Sequence, residues 1–99
     1  MLRHIVTWNY KDEFTDSENR KNAENMKSAL EALKHCIDGI VELRVYINEL
    51  PSSNKDIILN SLFENEASLE AYQIHPEHQK VGSFVKTVMQ NRACIDYYE

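Results

Sequence analysis

Hydrophobic and polar residues alternate along the first stretch of the chain, Leu2 to Tyr10 (LRHIVTWNY). Leu2, His4, Val6, Trp8 and Tyr10 share one face, and Arg3, Ile5, Thr7 and Asn9 share the other. The run is rich in β-branched and aromatic side chains and predicts a strand. Lys11 to Thr15 is a polar connector, and Thr15 followed by Glu18 fits a capping box, with Asp16 and Glu18 suited to a helix N-terminus. The spacing of Ala23, Met26, Leu30, Leu33 and Ile37 then predicts one long helix over about 16–36 with a single packing stripe. Asp38-Gly39 ends that helix, Gly39 being free to take positive φ. From Ile40 to Leu50 the pattern alternates again. Val41, Leu43, Val45 and Ile47 form an apolar face; Glu42, Arg44, Tyr46 and Asn48 form a polar one. Pro51 to Asp56 reads as a loop, and Ile57 to Phe63 as a third strand paired antiparallel with the second. A short helix starts near residue 64, with Asn65 as N-cap and Leu69 and Tyr72 on its inner side. It must stop near Ile74, because the residue before a proline avoids the helical region. A further helix restarts at Pro76, with Val81, Phe84, Val85 and Val88 as its buried stripe. Arg92 to Glu99 closes the chain as a fourth strand.

The order β–α–β–β–α–β, its second helix broken at His75-Pro76, implies an α+β fold of the ferredoxin-like split βαβ type. It has one four-stranded antiparallel sheet with helices on one face, formed by residues 1–99 as a single domain. The other sheet face leans apolar and does not stay bare in water. Two subunits packed sheet to sheet would cover it, so the expectation is a homodimer closing an α+β barrel. On that face Glu42, Arg44 and Tyr46 suit either a polar subunit interface or a solvated surface.

Composition narrows the classes. A chain of 99 residues with 42% hydrophobic and 27% charged residues suits one globular domain with a limited core. A net charge of -5 and scattered Lys and Arg argue against general nucleic-acid binding. No apolar run approaches a membrane span and no signal-peptide pattern opens the chain, so the expected setting is cytoplasmic. Cys36 and Cys94 form no CxxC pair and read as reduced thiols. With only Gly39 and Gly82 present, no Gly-rich phosphate loop can be built.

The chemistry concentrates in Tyr72 to His78. Pro76 suits the first position of a helix, which places His75 at the N-cap and His78 at the third helical position. The expectation is that these two side chains approach each other across the first turn as in a capping box. The positive end of the helix dipole disfavours imidazolium there, and a neutral imidazole serves as a general base or hydrogen-bond donor. The plainer alternative makes His75 a cap and His78 a surface side chain. His4, in an otherwise apolar row, is either a hydrogen-bonded core histidine or a pocket residue.

Taken together, the opening RHIV, the Gly39-Ile40 junction, AYQIHPEHQKVGSFV and the closing Asp96-Tyr97 resemble the stress-responsive A/B barrel family, often called Dabb. The similarity runs along nearly the whole chain, and HPEH is its most specific part. The resemblance implies a homodimeric α+β barrel. The family includes plant proteins linked to stress tolerance and a plant polyketide cyclase that performs an aldol cyclisation without metal or cofactor. Carried over from that cyclase, the resemblance implies catalytic roles for His4, Tyr72 and His78. A second tyrosine of the cyclase falls in the first helix, where this chain has Met26 and so lacks the hydroxyl.

The expected protein is therefore a small homodimer with a small-molecule pocket between helices and sheet, its activity unassigned. Its catalytic candidates are His78, Tyr72 and His4, and its ligand contacts are His75, Trp8, Met26 and Phe84. The ligand would be a small hydrophobic or aromatic metabolite, with no cofactor and no metal. One alternative is a cofactor-independent cyclase or lyase acting on a polyketide-like or aromatic carbonyl compound, with His78 as base. Another is a cofactor-free monooxygenase or haem-binding protein of the same barrel architecture, for which Trp8, Asn9 and His75 are suggestive. Metal binding through His4, His75 and His78 is a further alternative, although HPEH is not the HExxH pattern.

Overall fold

In the computed structural model, which describes Met1–Glu99, the alternating opening run forms strand β1 (Leu2–Tyr10). Leu2, His4, Val6 and Trp8 are buried and their neighbours are half-exposed, as the side-chain period of a strand requires. Helix α1 (Asp16–Ala32) begins with the expected capping box. The Thr15 hydroxyl accepts from the Glu18 N–H, and the Glu18 carboxylate accepts from the Thr15 N–H. The helix stops being α-helical at Ala32 and tightens into a 3-10 turn over Leu33–His35, short of the expected end at Cys36. Tightening of this kind is a common way for a helix to satisfy its last carbonyls. Gly39 follows at φ +89.

Strand β2 (Ile40–Ile47) ends three residues before the expected Leu50. There the Asn48 side chain takes over the pairing, donating to the Lys55 carbonyl and accepting from the Leu50 N–H, and Leu50 is left exposed. A register shift between Ile40 and Glu42 lets Ile40, Leu43 and Val45 share the buried face, so Val41 is only half-buried. Strand β3 (Ile57–Phe63) pairs antiparallel with β2 and with β1, and β4 (Met89–Tyr98) pairs antiparallel with β1. The sheet order is β2-β3-β1-β4, the ferredoxin-like arrangement.

Helices α2 (Glu66–Ile74) and α3 (Pro76–Val88) meet at His75, whose extended backbone (φ -62, ψ 134) breaks one helix and starts the next. The core between the helices and the sheet joins Ala23, Met26, Leu30, Leu33 and Ile37 to the buried residues of β1, β2 and β3, with Leu69, Tyr72, Val85 and Val88 closing it. Val81 and Phe84, expected in the buried stripe of α3, are only half-buried at its margin. No helix is long and apolar enough to cross a membrane.

Strand β4 starts at Met89, earlier than the expected Arg92, because Met89 is already extended (φ -124, ψ 158). The pairing shifts register between Thr7 and Asn9, with Thr7 opposite Ala93 and Asn9 opposite Gln90. Trp8 therefore faces two residues of β4, and Asn91 takes up the bulge at φ 56. On the face away from the helices, Arg3 donates to Glu42, Asn60 and Glu99. Tyr46, Ile95 and Tyr97 are exposed there.

Candidate functional site

A cavity of about 700 Å³ lies between the sheet and helices α2 and α3. Its floor is apolar: Val6 and Trp8 from β1, Leu59 from β3, with Leu30 of α1 and Val85 of α3 beside them. His4, Tyr72 and His78 face it, as do Gln73, Gln79, Gly82 and Ser83. Lys86 and Arg92 complete the lining. The volume falls within the range of small-molecule sites.

The break between α2 and α3 sets the geometry of His78. In an unbroken helix the Gln73 carbonyl would accept from the N–H of Glu77. That N–H is instead taken by His75, whose Nδ1 accepts it at 3.1 Å. The freed Gln73 carbonyl lies 3.2 Å from His78 Nδ1. A carbonyl only accepts, so Nδ1 carries the proton and Nε2 keeps its lone pair. The two histidines thus form no reciprocal capping box with each other, contrary to expectation: His75 caps N2 and His78 reaches back to α2. Burial pushes the His78 pKa below its ordinary 6.5, and the positive charge of Arg92 acts in the same direction. The Gln73 hydrogen bond opposes them. The shift has the sign expected at a helix N-terminus, and its largest cause is desolvation.

The Tyr72 ring packs 4.2 Å from the His78 ring and 5.0 Å from Phe63, centroid to centroid. Its side chain is fully buried, and its hydroxyl has no hydrogen-bond partner in the protein. Burial raises the Tyr72 pKa well above 10, so the phenol stays protonated and can donate. A buried hydroxyl without a partner carries a desolvation cost of roughly 1–3 kcal/mol, which a ligand oxygen at the right place would remove.

His4 is held differently. In the β1–β4 register it lies opposite Asp96, and its Nδ1 is hydrogen-bonded to that carboxylate. This again leaves Nε2 as the acceptor. The Cys94 sulfur is 3.7 Å from both the His4 ring and Asp96. His4, Cys94 and Asp96 form a group whose donor atoms lie close enough to share an ion. Burial and Asp96 raise the Cys94 pKa, so the sulfur is a protonated thiol at neutral pH and a poor ligand until a cation displaces its proton.

The structure thus brings together His4, Trp8, Tyr72 and His78 on one cavity, and leaves three expected contacts outside its lining. Met26 is fully buried in the α1 stripe, packed as core. His75 is committed to capping α3. Phe84 lies on the other side of α3, in a shallow groove with Asn25, Ala29, Lys80 and Val81. Gln73, Gln79, Ser83, Lys86, Arg92 and Asp96 were not singled out as site residues from sequence. The helical spacing of Gln79, Gly82, Ser83 and Lys86 along one side of α3 was the available signal.

The model of the family described as the stress responsive A/B barrel domain, Dabb, matches residues 2–99. No curated protein sequence matches the chain. Among solved structures, a dimeric protein of unknown function and ferredoxin-like fold from Bacteroides fragilis is 32% identical, with a TM-score of 0.93 over 99% of this chain and 95% of that one. A dimeric ferredoxin-like protein of unknown function from Thermobifida fusca is 21% identical, with a TM-score of 0.84 over 99% of this chain and 90% of that one. A hydroxynitrile lyase from Passiflora edulis is 15% identical, with a TM-score of 0.80 over 97% of this chain and 90% of that one. The last two likenesses speak to the fold alone. With the family match running from the first strand to the last residue and the same sheet order in place, the chain belongs to the stress responsive A/B barrel family.

Proposed function

We propose that this protein is a cytoplasmic homodimer that binds a small carbonyl compound in the cavity beneath α3 and moves a proton on it without a cofactor. One observation carries the reading: Tyr72, whose hydroxyl is buried and without a protein partner, packs its ring against an imidazole whose Nδ1 faces a carbonyl. In the proposed step, Nε2 of His78 takes a proton from the carbon next to the carbonyl. The electron pair of that C–H bond forms the C=C bond of an enolate as the carbonyl π pair moves to oxygen, and the Tyr72 O–H donates to that enolate oxygen. Returning the proton from His78 to the opposite face of that carbon completes an epimerisation; alternatively the enolate carbon attacks a second carbonyl, whose oxygen takes the proton from His78, completing an aldol-type addition. His4, oriented by Asp96, supplies a second acceptor on the cavity wall. The hydroxynitrile lyase on the same fold supports the reading by analogy only.

The homodimer rests on the exposed Tyr46, Ile95 and Tyr97 of the open sheet face and on the relative from Bacteroides fragilis, which is described as dimeric. The cytoplasmic setting is in keeping with two cysteines that are both free.

The test is exchange of α-hydrogen for deuterium in a panel of small ketones and keto acids, followed by NMR in D2O. Wild type should catalyse exchange on at least one member. His78→Ala should slow it by roughly 10²-fold or more while sedimentation still shows a dimer. The acid limb of the rate profile should fall below pH 6.5, because burial favours the uncharged imidazole. Equal exchange by wild type and His78→Ala would eliminate the base, and a monomer in sedimentation would eliminate the dimer.

A further inference from the structure

The charge of the cavity does not match the charge of the molecule. The chain carries 16 acidic residues against 11 basic ones, yet no Asp or Glu lines the cavity, and Lys86 and Arg92 both do. Neither of the two is in an ion pair, whereas Arg3, Arg20, Lys27 and Lys80 are each held by a carboxylate. Lys86 stands on the last turn of α3, and Arg92 follows the bulge at Asn91 that bends β4 where it leaves α3. Bulges beside sites commonly re-aim a side chain, and this one sets Arg92 opposite Trp8. Both cations are exposed and so belong to the mouth of the cavity, with the apolar floor of Val6, Trp8, Leu59 and Val85 deeper in. The positive charge of Arg92 is felt at both Tyr72 and His78.

We infer that the natural ligand is a small organic acid, its carboxylate held at the mouth by Arg92 and Lys86 and its apolar or aromatic body lying inward toward Trp8. This rests on the proposed function for the choice of cavity and adds the class of compound that enters it. Arginine suits a carboxylate because its guanidinium offers two parallel donors. For the proton transfer above, the substrate becomes a keto acid, with its carbonyl beside Tyr72 and its carboxylate outermost.

Trp8 is the only tryptophan and reports on the cavity directly. The experiment titrates the dimer with 4-phenylbutanoate and with its neutral isostere 4-phenylbutanamide, following Trp8 fluorescence. The acid should bind roughly tenfold more tightly than the amide, and its advantage should shrink as salt is added. In Arg92→Gln and in the Arg92→Gln/Lys86→Gln double variant, acid binding should fall to the level of the amide while amide binding holds. Equal binding of acid and amide to wild type, a preference that survives the double variant, or no response to either probe would overturn the inference. The two proposals fail separately. Loss of the acid preference with His78-dependent exchange intact removes only the charge assignment. Loss of exchange with the preference intact removes only the base.

Discussion

Helices α1 and α3 lie on the same face of one sheet and treat it in opposite ways. Helix α1 presses a continuous stripe against the strands, and Ala23, Met26 and Leu30 are at most 3% exposed. In α3 only Val85 and Val88 reach the core, and the turns before them offer Gln79, Gly82 and Ser83 to the cavity. Small and polar side chains cannot fill the distance to the strands, so space remains. The cavity is thus written into α3 as an absence of bulk, and α1 shows what the same layer looks like when bulk is supplied.

Substitutions can break this contrast, and the largest effect belongs to α1. Met26→Ala removes a fully buried side chain from a closed stripe and should cost about 2–5 kcal/mol in urea unfolding. A much smaller loss would mean that α1 is as loosely seated as α3. The sign reverses in α3. A Cβ added at Gly82 meets nothing within 4 Å, and the helix interior disfavours glycine. Gly82→Ala should therefore raise stability by about 1 kcal/mol. Gly82→Leu at the same position should abolish the Trp8 response to 4-phenylbutanoate by occupying the cavity. Tyr72→Phe should be close to neutral or stabilising by roughly 0–1 kcal/mol, since the lost hydroxyl bonds to nothing in the protein, while α-hydrogen exchange collapses. A clear destabilisation would show that the hydroxyl is structural.

The smallest effect is the pH dependence of stability from His78. Its folded pKa lies below the ordinary 6.5. Above pH 6.5 both states hold the neutral ring and this contribution is complete. Below it the unfolded chain binds a proton that the folded protein resists, so stability declines until the folded imidazole protonates as well. Thermal melts of wild type against His78→Gln should diverge in that acid window and run parallel above it.

Much of this contrast was legible in the residues. The alternation in β1, the Thr15–Glu18 box, the positive φ at Gly39 and the Pro76 restart are local rules with local causes, and each appears in the structure. Strand ends were less legible because side chains far along the chain settle them. Asn48 ends β2 by bonding to Lys55, and the apolar Met89 continues the helical pattern of Val88 while its backbone is already extended. The site was legible in part. Periodicity put His4, Trp8 and Tyr72 on inward faces but gave no distance between layers, so Met26 and Phe84 read as equally good contacts. Arg92 and Asp96 needed the β1–β4 register, which no local pattern encodes.

The missing amide hydrogen of Pro76 reaches further than the bend it makes. With that helix interrupted, a main-chain oxygen at Gln73 is left without its regular donor, and an imidazole answers. One imino acid thereby decides which ring nitrogen is protonated and which is basic, before any ligand arrives. Swapping it for alanine would alter no wall of the chamber, yet it would let a continuous spiral reclaim that oxygen and set the ring free to turn.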